Sequence, residues 1–256
     1  KAIILIGFLP SFLKKIIYKI RGYKIGKNVS FGIGSVIIGK NVTIGDNSSF
    51  GLISVVRGNV INIGRFVSIG SLSMIDTETI IIGDDSRINE NVIVGGIKFP
   101  ESMLKIGKRV IIMEYSFINP TKPIIIGDDT GIGGHCLLFT HGSWLNQLDG
   151  FPVTFAPITL GERVWLPWRA FIMPGVKIGD EVVIQANSMI TTSIPSNVIA
   201  AGSPAVVRVK NYPRALSEKR RNKIIYSIID DFKNYLEHYS YIVKHIQEDN
   251  GLLIKI

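Results

Sequence analysis

The chain is poor in the residues that mark secreted, zinc-bound or membrane-spanning proteins. It has one cysteine in 256 residues, which excludes an internal disulfide, and no Cys-x-x-Cys or Cys/His cluster suggests structural zinc. That favours a reducing compartment, so the expected location is cytoplasmic. No apolar run approaches the roughly 20 residues that span a bilayer, and residues 3 to 9 form a segment too short for that, with no signal-type cleavage site. Acidic residues are outnumbered, 20 against 29 Lys and Arg. A basic surface suits nucleic acid, an anionic membrane or a polyphosphate cofactor, so charge alone does not choose. A nucleic-acid partner is not expected, because no basic face interleaved with aromatics is present. Apolar residues make up 46% of the chain, enough for a sizeable core.

What the chain does have is a repeat. An aliphatic residue followed by glycine recurs at Ile25-Gly26, Ile44-Gly45, Ile63-Gly64, Ile82-Gly83, Ile106-Gly107, Ile126-Gly127, Leu160-Gly161 and Ile178-Gly179. Most steps are close to 18 or 19 residues, and inside each step the spacing is six, as in Leu160, Leu166, Ile172, Ile178, Ile184 and Ile190. Four residues after each aliphatic comes a small or β-branched residue, for example Val42, Ser48, Val67, Ser86, Val110, Thr130, Val164 and Ser188. Six is not a helical period, and the glycines and β-branched residues oppose helix as well. Two inward positions in six describe a short strand with a turn at each end. Three such units make a triangular coil, and stacked coils pair their backbones at about 4.8 Å. Coils bury their aliphatics only against neighbouring coils, so both ends of the stack need caps.

On these residues the sequence resembles the hexapeptide-repeat acyltransferases, most of all those that O-acetylate sugars and polysaccharides, over roughly residues 25 to 210. The resemblance implies an all-β fold, a left-handed parallel β-helix; nothing in the period itself reveals the hand. It divides the chain into an N-terminal amphipathic helix and cap (1–24), a β-helix catalytic domain (25–210) and a C-terminal helical extension (211–256). Residues 10 to 21 read as a helix with Leu9, Phe12, Leu13, Ile16, Ile17 and Ile20 on one face and Lys14, Lys15, Lys19 and Arg21 elsewhere. It is expected either to cap the first coil or to touch a membrane peripherally through residues 1–22, at the inner face. After Pro213 a long helix is predicted, with Ile224, Ile228, Phe232, Tyr235, Tyr239, Ile242 and Ile246 in a stripe that suits packing or subunit pairing.

The step from Ile126 to Leu160 carries an excess loop over 141–157, and the smaller excess around residues 95 to 102 reads as a passive bulge. Long loops in compact repeat arrays are usually functional. His141 stands at the mouth of the larger one, three residues after the inward Leu138. A neutral imidazole there can take the proton of a hydroxyl attacking a thioester, and in the resembling family a histidine in this setting is the general base. Its orienting partner is open among Glu114, Asp149 and Glu162. His135, one hexapeptide earlier, either flanks the acceptor site or is a plain surface residue. Cys136 falls on an inward small position and reads as core filler, and His238 and His245, seven apart on the expected C-terminal helix, read as helix-surface residues.

The resemblance assigns further roles. Trp165 matches a tryptophan that shapes the acceptor pocket, with coil-to-coil packing as the alternative. The donor is expected to be acetyl-CoA, lying along the coils of residues 164 to 210. Trp168 and Ala186 would meet the thioester and pantetheine arm, Thr191 and Thr192 would lie further along, and Gly202 and Pro204 would be near the adenine. Arg208 and Lys210 would face the phosphates. The chain departs from the family at Trp165-Leu166-Pro167-Trp168, where two rigid residues replace a small turn and Pro167 has no N–H. Thr192, Val206 and Val209 replace residues that are frequently basic. No metal is expected.

The function expected is O-acetylation of a carbohydrate, a surface polysaccharide or its precursor, by direct attack on the thioester in a homotrimer. N-acylation of an amino sugar and a non-catalytic β-helix scaffold are the alternatives. A zinc hydratase of the γ-carbonic-anhydrase kind would need three coordinating histidines, and only His135 and His141 lie in the coils. Two motif matches carry no function. Residues 34 to 41 lack the Ser/Thr of a P-loop and its strand-to-helix setting, and the Asn-x-Ser/Thr matches recur because the repeat does.

Overall fold

A computed structural model describes residues 6–142 and 145–239, together with the backbone of 244–248 and 251–255. Residues 1–213 form one unit and 214–256 another.

The first unit is a parallel β-helix. Its short strands stack into three sheets, here faces A, B and C. Face A holds eight strands from Lys24–Ile25 to Lys177–Ile178, and face C eight from Val36–Ile38 to Met189–Ile190. Face B holds ten, from Ser30–Phe31 to Ala205–Lys210. The inward aliphatics stack in register from coil to coil, as in Ile44 on Ile63 and Ile63 on Ile82. They form one continuous core. The small inward position four residues later is where the chain turns a corner. Ser48 shows why it is small and often polar: its hydroxyl donates to Gly64 O at 2.9 Å and accepts from Val67 N at 3.1 Å, so the buried corner is satisfied by the next coil. The glycine after each aliphatic has a steric cause, since a Cβ at Gly45 would lie 2.6 Å from the carbonyl of Gly64 above it.

A polar cap closes the first coil. Helix α1 (Ser11–Ile20) lies across the open end. It buries Lys14 and Tyr18, whereas the apolar stripe marks the opposite side as the packing face. The Lys14 ammonium donates to Gly32 O (2.6 Å), Ser35 O (3.0 Å) and Ser35 Oγ (3.2 Å). Three acceptors match its three N–H groups, although burial pulls its pKa below the usual lysine value. Tyr18 donates no core carbonyl bond but accepts Ile37 N at 2.9 Å, and its ring continues through Tyr23 and Phe31 to Phe50. A coil end that displays carbonyls and an amide N–H is better met by an ammonium and a phenol oxygen than by leucines. The far end is closed by the antiparallel hairpin of Val198–Gly202 and Ala205–Lys210.

In the second unit, helix α2 (Glu218–His238) starts at Ser217, whose side chain accepts from Arg220 N. It stops sooner than its stripe predicts. Residues 244–248 and 251–255 pair as an antiparallel hairpin, so His245 and Ile246 lie in a strand rather than on a helix, and Ile242 falls outside the described residues. Cross-strand pairing outweighs the helical stripe here.

Candidate active site

Both excess segments leave the solenoid at the same place. Residues 95 to 102 and 141 to 157 each follow a strand of face C and precede a strand of face A, so they lie on the C–A edge. The smaller one is not passive: its Phe99 ring meets Phe155 of the larger loop edge-on at 6.1 Å, and Lys122 lies 5.0 Å over Phe99. The larger loop folds back on itself, with His141 bridged to Phe155 and Gly142 N donating to Thr154 O at 3.1 Å. The His141 ring stacks on Phe155 at 5.7 Å and 13°.

The orienting group of His141 is Asn119, not Glu114, Asp149 or Glu162. Asn119 is buried, and its Oδ1 lies 3.2 Å from His141 Nδ1. The same atom is 3.3 Å from Thr121 N and 2.7 Å from Thr121 Oγ1. A backbone N–H can only donate, so this atom is the amide oxygen and an acceptor. His141 Nδ1 must then carry its proton, and Nε2 keeps the lone pair that a base needs. Glu114 binds Asn89 Nδ2 instead (2.8 Å), Asp149 belongs to a turn of the loop (Gln147–Asp149), and Glu162 follows face A at the A–B edge. No sequence motif points to Asn119; it stands one coil below His141, 22 residues away.

The remaining candidates sort onto two edges. Thr191 and Thr192 follow a strand of face C and share the C–A edge with His141, two coils higher. Trp168 and Ala186 turn the corner from face B to face C, in successive coils of the B–C edge. The Gly202–Pro204 turn ends a face-B strand in the coil above them, and Gly202 N donates to Ser188 Oγ at 3.1 Å. Arg208 and Lys210 are exposed on the closing strand and have no ion-pair partner among the described residues. Trp165 lies on face B over Gly131, where a Cβ would meet its ring at 2.5 Å. Trp165 and His141 therefore do not meet within one chain.

The B–C edge offers hydrogen-bond donors. Among the described residues the amides of Trp168 and Ala186 donate to no carbonyl or side chain, unlike those of Arg169 and Asn187 beside them. Outward-facing free N–H groups fit the amide and thioester carbonyls of an acyl-pantetheine arm. The Trp168 indole leans away from Ala186, down over Gly134 and 5.6 Å from the His135 ring, which in turn stacks on Tyr115 at 5.1 Å. Cys136 is wholly buried, and burial pushes its thiol up to about 11, which denies it a nucleophilic role.

A parallel β-helix of hexapeptide coils with a histidine held in its basic tautomer beside a long loop defines an acyltransferase of the hexapeptide-repeat type. Comparison with known proteins agrees. Residues 157–192 match the family model described as the hexapeptide repeat of succinyl-transferase. The chain is 34% identical over 122 residues to WcaF of Escherichia coli (strain K12), an acetyltransferase named for colanic acid biosynthesis, covering 40% of this chain and 67% of that one. It is 30% identical over 156 residues to WbbJ of the same organism, an O-acetyl transferase named for lipopolysaccharide biosynthesis, covering 54% of this chain and 80% of that one. The crystal structure of the polysialic-acid-specific acetyltransferase NeuO has the same fold, with TM-score 0.52 and 21% identity over 77% of this chain and 84% of the other. The chain belongs to the hexapeptide-repeat acetyltransferase family.

Proposed function

We propose that this protein transfers an acetyl group from acetyl-CoA to a hydroxyl of a carbohydrate, with His141 as general base, in a site shared between two copies of a homotrimer. The observation that carries the proposal is the division of the candidate residues between the two edges that border face C. In one chain His141 on one edge and Trp168 on the other are separated by a full strand of face C, about 15–20 Å at the rise of extended chain.

Face C is suited to bring them together. One of its outward columns is apolar in every coil, in unbroken register from Val36, Val55, Met74 and Ile93 to Phe117, Leu137, Phe171 and Met189; the other carries Ile38, Arg57 and Asp76 in the first coils and Phe139 beside the candidate site. The outward column of face A is mixed, running Lys24, Thr43, Asn62, Ile81, Lys105, Ile125, Thr159 and Lys177. Three copies that turn face C toward a common axis place the C–A edge of each against the B–C edge of the next, a heterologous contact that closes on itself. His141 of one copy would then face the amides of Trp168 and Ala186 of another.

In the reaction Nε2 of His141 takes the proton of the sugar hydroxyl as its oxygen attacks the thioester carbonyl. The free edge amides stabilise the oxyanion. When the carbon–sulfur bond breaks, the acetyl stays on the sugar and the imidazolium returns its proton to the CoA sulfur. General-base help of this kind supplies about 10²–10⁴ in rate. The exposed Arg208 and Lys210 would pair with the phosphates of the donor. A carbohydrate acceptor is supported by the relatives named for colanic acid and lipopolysaccharide biosynthesis.

Acetyl-CoA binding by calorimetry, beside thioester hydrolysis with His141→Ala, tests the donor and the base: binding should persist and hydrolysis disappear. Mixing His141→Ala with Ala186→Trp after subunit dissociation tests the sharing. Each is expected to be inactive alone and the mixture to recover activity, because a mixed assembly contains an edge pair in which both edges are intact. A mixture of subunits that remains inactive refutes the shared site.

A further inference from the structure

Helix α1 is turned the opposite way from an ordinary capping helix. The side it buries carries a lysine and a tyrosine. Phe12, Ile16 and Ile20, four residues apart, form a ridge along the opposite side, exposed at 60%, 51% and 81%, and Phe8 in the turn before the helix is exposed at 68%. Large apolar side chains on a contiguous exposed ridge mark an interaction surface rather than scatter. The orientation is not adjustable, because Lys14 holds Gly32 and Ser35 and Tyr18 holds Ile37 N, while Phe31 N donates to Ser11 Oγ at 3.0 Å.

Charge is concentrated at the same end. Residues 1–45 contain eight Lys and Arg and no Asp or Glu, whereas the rest of the chain is almost balanced, so this segment accounts for nearly all of the net charge of +9. Lys19, Arg21, Lys24 and Lys27 are exposed around the ridge, and Lys15 is half-buried beside it. Phenylalanine and isoleucine on one side of a helix, with lysines at their margin, is the composition of a helix that lies in a membrane interface. There the apolar face enters the acyl boundary, and lysine stems reach up to anionic headgroups.

We propose that the α1 end of the solenoid docks on an anionic lipid bilayer, with Phe12, Ile16 and Ile20 inserted and the basic residues of the same end on the headgroups. The occupant is a bilayer rather than a second copy, because two copies joined ridge to ridge would bring these like-charged ends together with no acidic residue between them. No helix among the described residues is long and apolar enough to cross a membrane, so the contact is peripheral. Docking by this end sets the edge with His141, which follows the sixth strand of face C, five coils away from the bilayer, or about 24 Å at 4.8 Å per coil.

Vesicle co-sedimentation of the full chain tests this, using phosphatidylcholine with and without phosphatidylglycerol. Binding is expected with the anionic lipid, weakened by salt, and reduced about tenfold or more by Phe12→Ser with Ile16→Ser and by Lys15→Glu with Lys19→Glu. The melting temperature should not change in the first pair, whose side chains are exposed. Absence of binding to anionic vesicles, or equal binding to neutral ones, overturns the proposal. So does a smaller sedimentation coefficient for Phe12→Ser with Ile16→Ser in lipid-free solution, which would mean that a second copy covers the ridge.

Discussion

Replacing Asn119 separates its two duties, holding Thr121 and holding His141. In Asn119→Ala the Nδ1 proton of His141 loses an acceptor at 3.2 Å. A neutral hydrogen bond of this kind is worth about 0.5–1.5 kcal/mol net, and about 1.4 kcal/mol is a factor of ten in rate. The imidazole also becomes free to carry its proton on Nε2, where it is useless as a base. The expected outcome is a fall in kcat of about tenfold, with KM for acetyl-CoA unchanged, since the Asn119 side chain bonds His141 and Thr121 and none of the donor-binding candidates. Thr121 N and Oγ1 lose their acceptor as well, which costs about 1–3 kcal/mol of stability, so rates must be taken well below the melting transition. Asn119→Asp is the control: it keeps an acceptor for both residues and adds a negative charge beside the ring. An adjacent carboxylate favours the imidazolium, so the acid limb of the kcat/KM profile should move to higher pH while the alkaline plateau persists. Wild-type kcat in Asn119→Ala, or an unmoved acid limb in Asn119→Asp, would refute Asn119 as the group that sets the His141 tautomer.

Gly96→Ala should reproduce the loss of kcat with Asn119 and His141 both retained, because its Cβ would press on Asn119 Oδ1 and sit 2.7 Å from Thr121 Oγ1 and 2.8 Å from Asn119 Cγ; steady-state kinetics at varied acetyl-CoA would show whether KM stays put. Cys136 should resist alkylation at pH 8 in the native protein and react fully in denaturant, and a rapid native reaction would contradict its raised thiol pKa. Burial disfavours the Asp76 carboxylate, but hydrogen bonds from Arg57 and Lys98 outweigh it and hold the group below the usual carboxylate range. Its stabilising effect is therefore complete above about pH 4, the unfolded value, and is lost as pH falls through the lower folded value; Asp76→Asn should be less stable at pH 7 and show a shallower acid transition by circular dichroism. Lys14→Met preserves apolar bulk but strands the carbonyls of Gly32 and Ser35, and is expected to lower stability by about 1–3 kcal/mol in thermal denaturation.

The solenoid was legible in the sequence because its period is enforced locally: every sixth residue must fill a column one aliphatic wide, and the corner after it has room only for a small side chain. Ser48 and Cys136 both obey this, one by bonding the next coil and the other by filling the gap. The cap helix was legible as a helix and not as to which side it packs. Amphipathicity ordinarily selects the apolar side for burial, but the coil end displays the carbonyls of Gly32 and Ser35, and a buried carbonyl without a donor costs more than an exposed leucine. At α2 the opposite error arises, since a stripe of threes and fours continues through Ile246 while residues 244–248 pair with 251–255 as a hairpin.

The site was half legible for a related reason. His141 announces itself by the break in period, which is a property of the chain around it. Asn119 and Phe99 do not, because what makes them part of the site is the coil that stacks on theirs, and excursions change the number of residues between stacked positions. From Phe117 to Leu137 the step is 20, and from Leu137 to Phe171 it is 34. A search at a fixed repeat length above or below His141 therefore misses both residues. The same stacking explains why the two excursions meet: each leaves at the C–A edge, and Phe99 of one packs edge-on against Phe155 of the other. The loop that follows His141 is thereby tied to a segment more than 40 residues before it, a contact that no fixed repeat length reveals.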